Sequence, residues 1–138
     1  MGMFRIFDIA GSGMSAQTIR LNTVASNMAN ADTVSGTPEG AYRARQPVFA
    51  AVMEATGRNS QATVPVQVTE VVESQLPVNR IYMPQNPEAD AQGYVYQSNV
   101  NVVEEMANMI SASRSYQTNA EIANTSKRLI METLKLGQ

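Results

Sequence analysis

The chain has 138 residues, enough for one domain and short for two. It contains no cysteine and no histidine, which excludes structural disulfides, thiolate catalysis, sulfur-bound metal and imidazole chemistry. A formal charge of −2 argues against nonspecific nucleic-acid binding. The first element reads as an amphipathic helix over residues 3–30. Its apolar stripe runs Phe4, Phe7, Gly11, Met14, Thr18, Leu21, Ala25, Met28, in the alternating steps of three and four that pack one helix along another. Gly11 and Gly13 each cost roughly 1 kcal/mol against alanine. They are consistent with a weak helix or with close approach by a packed neighbour. Arg5, Asp8, Arg20 and Asp32 cancel, so this thinly charged segment suits burial between neighbours. The helix is expected to stop around Asn27–Asp32, ahead of Gly36 and Pro38.

All six prolines fall between Pro38 and Pro87, and the pattern changes there. Around Tyr42–Met53 apolar groups are too dense to fix one face. Thr63–Val71 alternates, with Val64, Val66 and Val68 on one face. Val78–Met83 and Tyr94–Tyr96 read as further short strands. Pro47 and Pro65 place their strands at edges or bends. Gly57–Ala62 and Pro84–Gly93 read as loops. The middle is therefore a small β unit, too small for a large core of its own.

The last helix begins at a good N-cap, Asn101, with Glu104 at the third helical position and Glu105 beside it. Its stripe runs Val102, Met106, Met109, Ser113, Tyr116, Ala120, Ala123, Lys127, Ile130, Leu134. Some 35 residues at a rise of ~1.5 Å give a rod of about 50 Å, longer than one small β unit can cover. The expected fold is α+β. Residues 1–32 and 99–138 form a coiled-coil-like helical layer, and residues 33–98 form a β-rich unit inserted between its two helices.

No catalytic, cofactor or metal site is expected. Gly11-Ser12-Gly13 is a fragment of a phosphate loop and follows no strand. Glu88, Asp90, Gln92 and Gly93 echo a calcium loop, but Asn99 stands where a bidentate glutamate is needed. Glu70 and Glu73 lie on a strand end with nothing nearby in sequence to shape a pocket. Arg114 lies beside the stripe residue Tyr116 and suits a contact to a neighbouring subunit. No segment has the length of a transmembrane helix. Asp8 interrupts the short N-terminal apolar run, so a cleaved leader is not expected. Ile6 occupies the position where N-myristoylation needs Ser or Thr.

The run Asn27-Met-Ala-Asn30-Ala-Asp-Thr33, ending a first helix, resembles the signature of bacterial flagellar rod and hook proteins. Tyr42–Phe49, Pro87–Val95 and Ser98–Tyr116 resemble proximal-rod members of that family. The resemblance marks Asn27, Asn30, Thr33 and Arg114 as motif positions. It implies a structural subunit exported unfolded through the flagellar type III apparatus, without a cleaved signal. It implies assembly in the periplasmic space with copies of itself and other rod proteins, over ring and export-gate components at the rod base. It implies helical packing around an axial channel and transmission of motor torque. No membrane insertion and no nucleic acid enter this reading. The apolar stripes supply the expected assembly seam: Phe7, Met14, Leu21, Met28, Val102, Met106, Met109, Tyr116, Ala120, Ile130 and Leu134. A cytoplasmic coiled-coil adaptor or export chaperone is the other reading of the heptads, but it gives no reason for the β unit.

Overall fold

The computed structural model describes residues 2–52 and 64–136. Two helices, α1 (Gly2–Ala29) and α2 (Val102–Leu136), flank β1 (Val34–Ser35), β2 (Arg45–Ala51), β3 (Val66–Glu73), β4 (Asn79–Tyr82) and β5 (Tyr94–Gln97). The class is α+β, as the sequence predicts. Met53, Thr63, the expected Gly57–Ala62 loop and the side chain of Phe4 lie outside the described residues.

Local chemistry explains both helix limits facing the β unit. At the end of α1 the Asn30 amide N–H is shared by the carbonyls of Ser26 and Asn27 at 3.2 and 3.1 Å. Asn30 Nδ2 also donates to the Ser26 carbonyl at 2.8 Å, so the side chain holds a carbonyl of the last turn. At the start of α2, Asn101 Oδ1 accepts from the N–H groups of Val103 (3.1 Å) and Glu104 (3.4 Å). That is the N-cap read from the sequence.

The middle unit is two sheets, not one. The antiparallel order β1-β5-β4 pairs Val34 with Gln97 and Asn79 with Gln97 across the two ladders. Two-residue β1 has no pattern of its own and exists only through this pairing. The second sheet is a β2–β3 ribbon, with Arg45 opposite Glu73 and Ala51 opposite Val66. Its register shifts between Val48 and Phe49, and Thr69 Oγ1 donates to the Val48 carbonyl at 3.3 Å. Pro47 sits inside β2, which a strand at the edge of a ribbon tolerates. The Pro84–Gly93 loop is tied by Asp90, whose Oδ1 accepts from the N–H groups of Gln92 and Tyr94 at 2.8 and 2.9 Å. These bonds hold the Asp90 carboxyl below its ordinary pKa.

The core is small-residue by composition. Six of the eight buried apolar residues among those described are alanines, and the others are Val24 and Val95. No leucine, isoleucine, phenylalanine, methionine or tyrosine among the described residues is buried. Apolar burial scales with area, and Val103, Ile110, Leu129 and Leu134 each keep more than half of theirs exposed.

The helices run antiparallel. Gly13 of α1 faces Asn119 of α2, while Arg20, further along α1, donates to Asn108 Oδ1 at 2.9 Å. The two glycines differ accordingly. A Cβ on Gly13 would meet Asn119 Nδ2 at 2.8 Å, whereas one on Gly11 meets nothing within 4 Å. Gly13 marks a close approach; Gly11 is simply a weak helix residue. Gly11→Ala is expected to stabilise the isolated chain by about 1 kcal/mol. Gly13→Ala should gain less, because Asn119 must move aside. Urea denaturation of both variants reads the difference.

Candidate assembly interface

On each helix the stripe that faces its partner differs from the large apolar stripe. The inner stripe of α1 follows Ala10, Gly13, Gln17, Arg20, Val24 and Asn27, again in steps of three and four. On α2 it follows Glu105, Ala112, Asn119 and Ser126 in strict steps of seven. Its members are small or polar, which lets the helices lie close. The large apolar stripe expected from the sequence stands one residue further on in both helices, roughly 100° around each.

The seam residues therefore lie outside the centre of the intrachain contact. Phe7, Met14, Leu21 and Met28 of α1 are half-buried. On α2, Met109, Ala120 and Ile130 flank the contact and are half-buried. Val102, Met106, Tyr116 and Leu134 are exposed, Met106 at 51% and Leu134 at 67%. Arg114 is also exposed. The seam is half-covered along α1 and exposed over parts of α2, and its two strips do not meet in one buried interface.

The β2–β3 ribbon packs on a third face of α1. The Val66 N–H donates to Ser12 Oγ at 3.2 Å, and Ser12, Ala16, Ile19, Val52 and Val68 line a shallow groove there. On the ribbon itself Phe49, Val71 and Val72 remain 40–45% exposed.

The motif asparagine Asn27 holds the junction of all these parts. It is fully buried. Its Oδ1 accepts from the Arg45 N–H at 2.9 Å, and its Nδ2 donates to the Arg45 carbonyl at 2.8 Å. The amide thus pairs with β2 as another strand would. Tyr42 OH donates to the same Oδ1 at 3.0 Å and lies 3.2 Å from Ser26 Oγ. Next door, Asn99 Oδ1 accepts from the Ala44 N–H at 2.7 Å, and Asn99 Nδ2 donates to the Leu76 carbonyl at 2.9 Å. The Ala44 carbonyl accepts from the Ser74 N–H at 2.7 Å. Thr33 closes the circle. Its Oγ1 donates to the Asn30 carbonyl at 2.7 Å, and its carbonyl accepts from the Ser98 N–H at 3.2 Å.

Beside this junction Glu105 is 5% exposed. Burial pushes its carboxyl above the ordinary value and neighbouring Glu104 adds to that, while the Asn27 amide and Arg20 pull it back. Sequence reasoning missed the burial of Glu105 because acid in a first turn also suits a solvated helix start. It missed Asn99 because an isolated asparagine before a helix carries no distinguishing pattern. Two of the other acids singled out have local roles: Glu73 Oε1 meets Arg45 Nη2 at 3.2 Å on the exposed ribbon, and Asp90 ties its loop.

Comparison with known proteins bears on the same regions. A family model described as "Flagella basal body rod protein" matches residues 7–36, and one described as "Flagellar basal body rod FlgEFG protein C-terminal" matches residues 91–136. The chain is 52% identical to the flagellar basal-body rod protein FlgC of Salmonella typhimurium over 138 residues, 100% of both chains. This chain belongs to the FlgC family of flagellar basal-body rod proteins. Similarity to the FlgC proteins of Escherichia coli O157:H7 (51%) and Yersinia enterocolitica (50%) also spans 100% of each chain. The two family models cover α1 through β1, and β5 with α2; the β2–β3 ribbon falls between them.

Two outcomes follow for the junction. Asn27→Ala strands the Arg45 N–H and carbonyl in a buried site, so it should lower unfolding free energy by about 2–4 kcal/mol in urea titration. Folded Glu105 holds its proton more tightly than the unfolded chain does. Its stabilising contribution is therefore full below the ordinary carboxyl value and is lost as pH rises through the raised one. Glu105→Gln should match the wild type near about pH 4 and melt higher than it at neutral pH.

Proposed function

We propose that this chain is a structural subunit of the flagellar rod, built into the shaft that carries motor torque. The observation that carries the reading is the division of surfaces on α1 and α2. Small and polar residues close the helix pair, while the large apolar residues stay half-buried along α1 and largely exposed along α2. An outward apolar strip tens of ångströms long is suited to neighbours that repeat it. A shaft needs many modest contacts continued through heterologous interfaces that do not close.

In this reading the partners are copies of the chain and other rod proteins, with ring or export-gate components at the base of the rod. The chain reaches the periplasmic space by flagellar export. It does no catalysis: Glu73 and Asp90 are used in an ion pair and a loop tie, and the role of the molecule is architectural.

Leu21→Asp and Met106→Asp each place a charge on the outward strip. Burying it without a partner in an interface costs several kcal/mol; the isolated fold should change little at exposed Met106 and somewhat more at half-buried Leu21. Each variant is expected to be exported but absent from isolated basal bodies, with motility lost. Glu121→Gln, on an exposed position, should behave as wild type. Normal motility in both aspartate variants would remove the strip from the assembly.

A further inference from the structure

We propose that the cleft between α1, the first turns of α2 and β2 receives one basic side chain, a lysine or arginine of a neighbouring rod subunit, with Glu105 as its acceptor. The proposal rests on the rod-subunit reading and gives it a specific polar contact. The cleft has a volume of about 220 Å³ and is lined by Arg20, Glu104, Glu105 and Asn108, with Pro47 and Phe49 contributed by β2. Glu105, only 5% exposed, is part of this lining, and its Oε2 has no hydrogen-bond partner among the described residues. A buried carboxylate oxygen without a donor is costly, and a charged donor offsets that cost best.

Charge and shape both select the occupant. Arg45 also reaches the cleft, but its guanidinium is taken by Glu73 at 3.2 Å. Arg20 donates to Asn108 Oδ1 at 2.9 Å. Glu104 and Glu105 against Arg20 leave one negative charge, the complement of one monovalent cation. A divalent metal wants six or more oxygen ligands, and here the amide oxygen of Asn108 is already bonded to Arg20. A lysine or arginine also brings an aliphatic stem, which Pro47 and Phe49 can cover while the head meets Glu105. Phe49 is 40% exposed in the single chain and is placed to make that contact.

The test compares full-length wild type with Glu105→Gln, which keeps shape and removes charge. Purified chains are titrated with n-butylammonium chloride. The carbon-13 resonance of the Glu105 carboxyl is followed in the wild type, and that of the side-chain amide replacing it in the variant. Basal bodies from cells carrying each chain are isolated, and completed rods are counted by electron microscopy. The wild-type carboxyl resonance should move and saturate, and the amide resonance should not. The variant should melt no lower than wild type at neutral pH yet give about tenfold fewer completed rods, the loss of one charge-assisted hydrogen bond. Wild-type rod yield in Glu105→Gln, or a carboxyl resonance that n-butylammonium leaves unmoved, overturns the proposal. So does a melting temperature lowered in step with rod yield, which makes Glu105 a folding residue only. Absence of the wild-type chain from basal bodies overturns the rod reading instead.

Discussion

The backbone of two residues, Ala44 and Arg45, is the place where the fold is fastened. All four of its polar groups are satisfied from three different parts of the chain. Asn99 takes the Ala44 N–H, Ser74 supplies a donor to the Ala44 carbonyl, and Asn27 takes both groups of Arg45. Peptide groups are buried without a large penalty only when they are bonded. Here the bonds come from the end of α1, the start of the connection out of β3 and the approach to α2. Remove this dipeptide and the helix pair, the ribbon and the three-stranded sheet lose their common point.

A fold fastened by polar groups can manage with a small apolar core, and this one does. Alanine dominates the interior, and the helix–helix stripe carries glutamate, asparagine, serine and glycine. Such a stripe gains little from hydrophobic transfer, which tracks buried apolar area. It gains from closeness of the backbones and from bonds such as Arg20 to Asn108. The division suits a subunit: residues that would stabilise it alone are kept for contacts it makes in company.

The elements and their period were readable because heptad spacing, the Asn101 cap and the proline distribution are local signals. The rotation of the helices was not. A search for apolar periodicity finds Met14, Leu21 and Met106, whereas the close stripe is made by Ala10, Gly13, Ala112 and Ser126, one residue away. Hydrophobicity marks the wider face, and small size marks the closer one; a pattern weighted only by the first turns both helices outward. The division of the middle into two sheets depends on long-range pairing, as with β1, which has no pattern until β5 lies beside it. The resemblance singled out Asn27, but its task lies in bonds to residues 18 positions on, which no local window contains.

The fastening also has an order in time. The bond from the Ala44 N–H to Asn99 spans 55 residues, and the bonds from Arg45 to Asn27 span only 18. Contacts far apart in sequence form only once the intervening chain is present and its loop entropy has been met. A chain delivered from its N-terminal end can therefore set the Asn27 half of the clasp early. The Asn99 half, and α2 with it, must wait until the last third arrives. Until then the outward strip of α2 does not exist, so a partly delivered molecule cannot present the face that a completed one does.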